Sequence, residues 1–398
     1  KRMLQRLKGE FHMIGNRTLA VPGPSNVPNR ISQSMYIPTE DHRAPDLPSF
    51  VKPLMSDLKK VFLTETGTVV VFSGTGTGGW QAGLENLLTR GDRVLISQFG
   101  QFSKLWVQMC YGLQLDVIDI ECEWGEQTPI DSYRKAISND KDKTIKAVMV
   151  CQNETATGVT SNVRQVRDLL DEFNHPALLM VDGISSIGCI EYRHDEWRVD
   201  VAIAGSQKGF MMPTGLVIVA LSERVVKLTK QNNNTYYNFN QMITANEAGY
   251  FPYTPAMTLM RGLRTGTDML LEEGMENVWA RHNRLASGVR SAVDGWGLNI
   301  CAKDIDSASD TVTSVVVDNV NANDIILHAY NKYGISLGGG LGPLNGNVFR
   351  IGHLGWLNET MLLGVLGGVE LTLKDMGLSF ESGIGVGSAI DYWSNNSN

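Results

Sequence analysis

The hydrophobic positions of the chain change their period from one short segment to the next. Short and almost wholly apolar runs, typical of buried strands, lie at 69–72, 94–97, 117–120, 147–151, 177–181 and 199–204. Between them, apolar residues recur every three or four positions, as on one helix face, at 80–88, 102–113 and 163–173. Strands that alternate with amphipathic helices indicate a mostly parallel sheet covered on both faces. The sequence therefore predicts an α/β fold.

The pattern becomes different after a further strand-like run at 216–221. A polar and aromatic stretch at 231–240 predicts a loop, and long helical patterns follow at 258–273 and 275–293. The tail carries strand patterns at 312–317 and 348–351 and helical patterns at 322–333 and 360–376. We expect a basic extension at 1–17, a large domain with an N-terminal arm at 18–280, and a smaller α+β domain at 281–398.

Composition and charge narrow the classes of protein. The chain has 398 residues, 42% hydrophobic and 19% charged, which is typical of a soluble globular protein with a large core. Its net charge of -7 argues against a nucleic-acid or membrane-surface partner, and no apolar run is long enough for a membrane helix. The cysteines show no metal-ligand spacing, predict no metal site, and are typical of a reduced intracellular protein: Cys110, Cys122, Cys151, Cys189 and Cys301. We expect a cytoplasmic location, with a peroxisomal or mitochondrial matrix as the alternative.

The first 17 residues are strongly basic and contain a single acid, Glu10. A transit segment, a cloning remnant and a solvated amphipathic helix all fit this composition. We expect a poorly ordered extension, and its origin stays open.

A glycine-rich turn at 73–79 joins the strand at 69–72 to a helix. Free N–H groups and the positive dipole end of a helix bind phosphate, and glycines let the backbone approach it. Gly74, Gly76 and Gly79 also match the dinucleotide pattern G-x-G-x-x-G, but the next strand ends at Gln98 without the acid that holds ribose. A single phosphate group is the favoured ligand, and a turn without a ligand is the alternative.

An acid and a lysine follow two neighbouring strand patterns. Asp182 ends the apolar run 177–181, where open α/β sheets bind ligands, and its burial requires a partner. Lys208 lies in the small-residue stretch 205–215, where desolvation would lower its pKa and free the amine for attack on a carbonyl. We expect the two at neighbouring strand ends, about one helical crossover apart.

Two further stretches complete the set. The hydroxyl-rich loop 152–158 follows a strand, and Thr155 in it is suited to bond a ring oxygen. Arg350 lies between apolar residues in a strand, so its guanidinium needs an anion such as a carboxylate. A lysine, a strand-end acid, a phosphate cradle and a buried arginine are together the groups that pyridoxal phosphate chemistry requires.

Six stretches of the chain resemble one family in combination. They are Pro22–Asn26, Ser73–Trp80, Asn153–Gly158, Val181–Ser186, Gly205–Lys208 and Phe349–Gly355. This combination is similar to the class V aminotransferases, and within them to serine–glyoxylate and aspartate–glyoxylate aminotransferases, over residues 17–390. The resemblance implies a fold-type I transferase that depends on pyridoxal 5'-phosphate, with a mostly parallel seven-stranded sheet and a smaller α+β C-terminal domain.

The resemblance also implies roles for single residues. Lys208 would form the imine with the cofactor, Asp182 would pair with the pyridine nitrogen, and Arg350 would bind the substrate α-carboxylate. Further residues would hold the cofactor ring and phosphate: Phe102 by stacking, Thr155 at the phenolic oxygen, and Thr75, Gly76, Thr77 and Gln207 at the phosphate, with Thr254 of a second subunit. Asn26, His42 and Arg43 are the remaining substrate-binding candidates, the latter two in a loop that enters the partner's site of a homodimer. Phe251 stands where several relatives carry a phosphate-contacting tyrosine.

The implied reaction is the transfer of an amino group from a small amino acid to glyoxylate, which becomes glycine. Serine is the favoured donor, and aspartate and alanine stay open. A cysteine desulfurase of the same fold is a rival, although Phe102 stands where it would carry histidine and Cys301 is far from Arg350 in sequence. A nicotinamide-dependent dehydrogenase and a catalytically silent binding protein are the rivals from other classes.

Overall fold

The structure is a computed structural model that describes residues 15–229 and 236–396. Residues 1–14, which hold most of the expected basic extension, lie outside the described residues. The strands are β1 Thr18–Ala20, β2 Thr68–Ser73, β3 Arg93–Gln98, β4 Asp116–Glu121, β5 Ile145–Cys151, β6 Asn153–Glu154, β7 Val159–Thr160, β8 Leu178–Asp182, β9 Val201–Gly205, β10 Leu216–Leu221, β11 Asn299–Ile300, β12 Val312–Val316, β13 Ile335–Gly339 and β14 Val348–Gly352.

The helices between them cover both faces of the larger sheet and one side of the smaller one. They are α1 Asn29–Met35, α2 Pro48–Val61, α3 Gly76–Leu87, α4 Gln101–Gly112, α5 Ile130–Asn139, α6 Val163–Glu172, α7 Glu223–Thr229, α8 Phe239–Ala248, α9 Met257–Glu273, α10 Met275–Gly295, α11 Ala322–Tyr333, α12 Glu359–Asp375 and α13 Ile384–Asn395. Among the described residues, no helix combines the length and the apolar surface that crossing a bilayer requires.

The larger sheet has seven strands in the order β2-β10-β9-β8-β5-β3-β4. Strands β9, β8, β5, β3 and β4 pair in parallel, and β10 is antiparallel to both of its neighbours. The central strands are buried along their whole length, which is why they appear in the sequence as continuous apolar runs. Two apolar clusters, one on each face, enclose the sheet. The predicted mostly parallel seven-stranded sheet is confirmed.

The smaller sheet has the order β1-β13-β14-β12-β11 and packs with the C-terminal helices around its own apolar cluster. Its edge strand β1 comes from the N-terminal arm and pairs in parallel with β13, so that Thr18 lies opposite Ile335. The arm therefore crosses from the large sheet to the small one. Between the two sheets it contacts the turn that follows β9, where Ser25 N–H donates to the Gln207 carbonyl at 2.9 Å.

One expectation about local structure is wrong in part and another is wrong. Of the loop expected at 231–240, residues 231–235 lie outside the described residues, and the last two belong to helix α8, which begins at Phe239, where Asn238 caps it by accepting from Gln241 N–H at 2.8 Å. The connection from β8 to β9 was expected to be a helical crossover, but residues 183–200 consist of turns. Backbone bonds such as Ile187 N–H to the Gly183 carbonyl at 2.9 Å satisfy these turns without a helix.

Candidate active site

The lysine and the acid lie at adjacent strand ends, as expected. Asp182 is the last residue of β8, and Lys208 lies in the turn three residues beyond the end of β9. Strands β8 and β9 pair in parallel, with Asp182 opposite Ile203. Because carboxyl ends of parallel strands meet at one edge, both side chains belong to the ligand-binding edge of the sheet.

Lys208 is held against the N-terminal arm. Its Nζ donates to the carbonyl of Pro22 at 2.5 Å, and the Ser25 hydroxyl donates to the Lys208 carbonyl at 3.0 Å. A Cβ on Gly23, where φ is +101°, would overlap the lysine side chain, so this position needs glycine both for its backbone and for the close approach. Burial, together with the charge of Arg350, lowers the pKa of Lys208 to about 8.

Asp182 is buried and only partly satisfied by the protein. Its Oδ1 accepts from Ile184 N–H at 2.9 Å, and its Oδ2 accepts from the Cys151 thiol at 3.7 Å, a weak contact. Burial raises the pKa of Asp182 to about 7, against the lowering effect of the Ile184 bond. A cationic N–H donor at Oδ2 would stabilise the ionised form.

The glycine-rich turn leads directly into helix α3, which begins at Gly76. Thr75 precedes it with an extended backbone, and its hydroxyl makes no capping hydrogen bond. The first-turn N–H groups have no partners within the helix, and Thr75 and Thr77 are exposed beside them. A Cβ on Gly76 would overlap Ile184, which packs on the turn from the loop after Asp182. This helix start is suited to bind an anion.

Arg350 lies on β14 of the small sheet and reaches back to the large one. Its Nη1 donates to the Thr155 carbonyl at 3.0 Å, and its Nε donates to the Gly339 carbonyl at 2.8 Å. Burial lowers the pKa of this guanidinium to about 10, and the negative charge of Glu154 opposes that shift. The Thr155 hydroxyl shares a hydrogen bond of 2.8 Å with Ser185. The loop after β5 and the small sheet thus meet at the site.

Gln207 and Phe102 also lie near this edge. The Gln207 side-chain oxygen is buried and has no hydrogen-bond partner within the described ranges 15–229 and 236–396, and its backbone carbonyl accepts from Ser25 N–H at 2.9 Å. Phe102 is half-buried at the start of helix α4 and packs on the apolar cluster of the large sheet.

The side chains of four predicted residues have contacts elsewhere in the chain or lie at its surface, and not at Lys208, Asp182 or Arg350. Asn26 donates from Nδ2 to the Leu19 carbonyl at 3.0 Å and so fixes the arm. His42 and Arg43 lie in a surface loop, where Arg43 Nε approaches His42 Nε2 at 3.4 Å. Thr254 is exposed. The roles of these residues, and of the other site residues, stay predictions.

Two residues near the site were missed at the sequence level. Glu154 is fully buried and bonds the start of helix α4. Tyr237 places its hydroxyl over the glycine-rich turn, since a Cβ on Gly74 would lie 3.0 Å from it and one on Gly78 at 2.5 Å. Tyr237 lies far from the turn in sequence, so only the fold reveals the contact. Glu154 lies beside Thr155 in a stretch that the sequence analysis had singled out. An acid without basic neighbours in that stretch is the sequence signal that could have identified it.

Fold and site together define an α/β enzyme of the aminotransferase type. The family model described as "Aminotransferase class-V" matches residues 50–343, and the chain belongs to this family. It is 50% identical over 383 residues to a serine–glyoxylate aminotransferase of Hyphomicrobium methylovorum, covering 95% of each chain. It is 42% identical to an L-aspartate–glyoxylate aminotransferase of Paracoccus denitrificans, covering 96% of this chain and 97% of the relative. The structure resembles that of a ureidoglycine–glyoxylate aminotransferase from Bacillus subtilis with a TM-score of 0.90 at 27% identity, covering 97% of this chain and 100% of the other.

Membership of this family implies pyridoxal phosphate as the cofactor, and the residues present fit it. The start of helix α3 would offer N–H groups and hydroxyls to a phosphate, and Asp182 would offer a carboxylate to a cationic ring nitrogen. Lys208 supplies an amine with a lowered pKa for the aldehyde. These three groups are the chemically distinct contacts that the cofactor requires.

Proposed function

We propose that this enzyme transfers the amino group of serine to glyoxylate and so produces glycine and an oxo acid. The observation that carries transamination is the position of Lys208 and Asp182 at adjacent strand ends, beside the anion-binding start of helix α3. The choice of serine and glyoxylate is supported by the substrates named for the relative that is 50% identical along 95% of both chains.

Each contact to the cofactor would be made by a different group of the protein. When bound, pyridoxal phosphate supplies an electron-withdrawing ring that stabilises the electron pair left at the substrate α-carbon. Thr75, Gly76, Thr77 and Gln207 would hold its phosphate, Phe102 would stack on its ring, and Thr155 would contact its phenolic oxygen. Asp182 would hold a proton at the ring nitrogen, because a buried carboxylate is stabilised by a cationic partner.

Lys208 would act as the general base and acid of the reaction. With a pKa of about 8, part of its amine is neutral at physiological pH and able to accept the α-proton. The Pro22 carbonyl, which accepts from Nζ at 2.5 Å, holds the amine in place. Arg350 would bind the carboxylate that every amino acid and oxo acid substrate carries, by two parallel hydrogen bonds.

Aspartate is the second candidate donor, because the relative that is 42% identical is named for it. Its side chain carries a second carboxylate, which requires a further cation. We propose that His42 and Arg43 of a second subunit stand near the donor side chain in a homodimer, with Thr254 at the phosphate. Serine needs no such cation.

Covalent trapping tests the role of the lysine. The purified protein is loaded with pyridoxal phosphate and reduced with borohydride, and we expect a pyridoxyl adduct on Lys208. Lys208→Ala should lose the adduct and transaminase turnover, because among the described residues no other lysine lies at the end of β9. Lys52→Ala, on the exposed side of helix α2, is the control and should retain both. An adduct on another lysine, or substantial turnover of the Lys208 variant, would refute the assignment.

Comparing donors tests the substrate. The values of kcat/KM for serine, aspartate and alanine, each with glyoxylate, measure the discrimination directly. Serine is expected to give the highest value. A higher value for aspartate would replace the proposed donor while leaving transamination intact.

A further inference from the structure

Glu154 is a buried carboxylate with an unusually complete set of donors. It is 0% exposed and is the last residue of the two-residue strand β6, directly after β5. Its Oε2 accepts from Phe102 N–H at 3.0 Å, from Ser103 N–H at 2.8 Å and from the Ser103 hydroxyl at 3.0 Å. Its Oε1 accepts from Ala156 N–H at 3.1 Å. The side chain therefore ties the start of helix α4 to the loop from which it comes.

The donor set stabilises the ionised form of Glu154 and opposes the effect of burial, which raises the pKa of this carboxyl. Backbone N–H groups can only donate, so a proton on either carboxylate oxygen would face a donor instead of an acceptor. The positive end of the helix dipole adds to this preference. Gly100, which precedes helix α4, has no side chain to cap it, and a Cβ there would overlap Glu154. The glutamate thus acts as the cap from a distant part of the chain.

One residue of the proposed site is bonded to this carboxylate, and another follows Glu154 in the chain. Phe102, expected to stack on the cofactor ring, donates its N–H directly to Glu154. Thr155, expected at the phenolic oxygen, is the next residue of the loop, and its carbonyl accepts from Arg350 at 3.0 Å. The charge of Glu154 is also the one that supports the protonated form of the Arg350 guanidinium.

We propose that Glu154 is a positioning residue of the active site. Its carboxylate fixes the position of the Phe102 ring relative to the loop of Thr155, so that both residues contact the cofactor. The Thr155 carbonyl in turn orients Arg350. This inference rests on the proposed function, since it assigns Glu154 a role toward the cofactor that Lys208 binds.

The small domain offers a matched control of the same chemistry. Glu370 of helix α12 is also buried and bonds the start of a helix, accepting from Gly385 N–H at 3.2 Å and from Trp296 Nε1 at 3.0 Å. It stabilises helix α13, which lies in the small-domain core. Glu154→Gln and Glu370→Gln therefore make the same chemical change at the start of a helix, one beside the proposed site and one in that core.

The experiment compares cofactor affinity with stability in the two variants. Both are purified, freed of cofactor and titrated with pyridoxal phosphate, and the melting temperature of each cofactor-free form is recorded. Both should melt below the wild type, since each amide loses acceptor capacity. Glu154→Gln should raise the Kd for pyridoxal phosphate by about tenfold or more, while Glu370→Gln should leave it within about twofold. Amide hydrogen exchange at Phe102 should accelerate only in Glu154→Gln.

Each outcome decides one claim. An unchanged Kd in a Glu154→Gln protein that melts as low as Glu370→Gln would make Glu154 purely structural and overturn the inference. A wild-type protein that itself binds no pyridoxal phosphate would instead defeat the proposed function. If Glu154→Gln does not fold, Ser103→Ala removes one hydroxyl donor while keeping the carboxylate, and the inference then requires a smaller rise of Kd, of about threefold. No rise in that variant would overturn it.

Discussion

Two charged side chains of the candidate site, Asp182 and Arg350, are buried and Lys208 is partly buried, and desolvation shifts the pKa of each in the direction that favours the neutral form. The pKa of Lys208 falls to about 8, that of Arg350 falls to about 10, and that of Asp182 rises to about 7. Each group would be stabilised by a ligand of matching chemistry: an aldehyde for the amine, a carboxylate for the guanidinium and a cationic ring for the carboxylate. At the scale of single residues, desolvation shifts these three pKa values and would be relieved by such ligands.

The raised pKa of Asp182 predicts how the stability of the cofactor-free protein depends on pH. Because the folded-state pKa lies above the unfolded value of 3.8, burial of Asp182 costs nothing below about pH 4 and costs progressively more up to about pH 7. The full cost is up to about 4 kcal/mol. Asp182→Asn keeps the acceptor for Ile184 N–H and does not titrate. The variant should therefore gain stability relative to the wild type between pH 4 and pH 8, as measured by urea unfolding, and an equal difference at both pH values would contradict this.

Arg350 should affect every substrate alike, because each carries the α-carboxylate that the guanidinium would bind. Arg350→Ala is expected to raise KM for serine and for glyoxylate on the order of 100-fold or more, with a smaller effect on kcat. Arg350→Lys keeps a charge but not the two parallel hydrogen bonds, and should recover only part of the loss. Steady-state kinetics with both substrates tests this, and an effect confined to one substrate would argue against the assignment.

At the scale of elements, the start of helix α3 depends on glycine for packing. Gly76 is the first residue of that helix, and Ile184 fills the space in which a Cβ would lie. The glycine-rich turn and the loop after Asp182 are therefore in close contact, which would hold two of the expected cofactor contacts at a fixed separation.

Gly76→Ala should therefore destabilise the cofactor-free protein by about 1–3 kcal/mol through overpacking, and weaken binding of pyridoxal phosphate. Ile184→Ala in the same chain should restore part of the stability, because it opens the space that the new methyl group requires. Gly367→Ala in helix α12 is the control, since nothing lies within 4 Å of a Cβ there, and it should stabilise by roughly 0.5–1 kcal/mol. Thermal unfolding of the four proteins measures these differences, and equal losses at both glycines would exclude the packing explanation.

At the scale of the whole molecule, the site is assembled from parts far apart in sequence. The arm contributes the Pro22 carbonyl, the large sheet contributes Asp182 and Lys208, and the small sheet contributes Arg350. Strand β1 of the arm pairs within the small sheet. The division into a large domain at 18–280 and a small domain at 281–398 stays a prediction, and limited proteolysis tests it.

The proposed homodimer predicts complementation between two defective chains. Lys208→Ala is expected to lose its activity with every donor, and Arg43→Ala is expected to lose most of its activity with aspartate, whose second carboxylate requires the cation, so aspartate is the donor in this assay. If Arg43 acts in the partner's site, unfolding and refolding the two variants together should create hybrids with one intact site, and recover about one quarter of the wild-type activity. Arg164→Ala, a surface arginine that pairs with Asp168, serves as the control and should remain active alone. No recovery in the mixture would place Arg43 in its own chain's site or outside any site.

The sequence by itself determined the layered α/β fold, since buried parallel strands appear as continuous apolar runs and helices show a period of 3.6. It also identified the class V family, because Lys208, Asp182 and Arg350 each lie in a short continuous motif that can be recognised without knowledge of the fold. Only the tertiary structure decided which distant groups meet: the Pro22 carbonyl on Lys208, Tyr237 over the glycine-rich turn, and Glu154 at the start of helix α4. The physical reason is that these contacts arise from packing between segments remote in sequence, and no local periodicity records which carbonyl or N–H a folded chain brings within hydrogen-bonding distance.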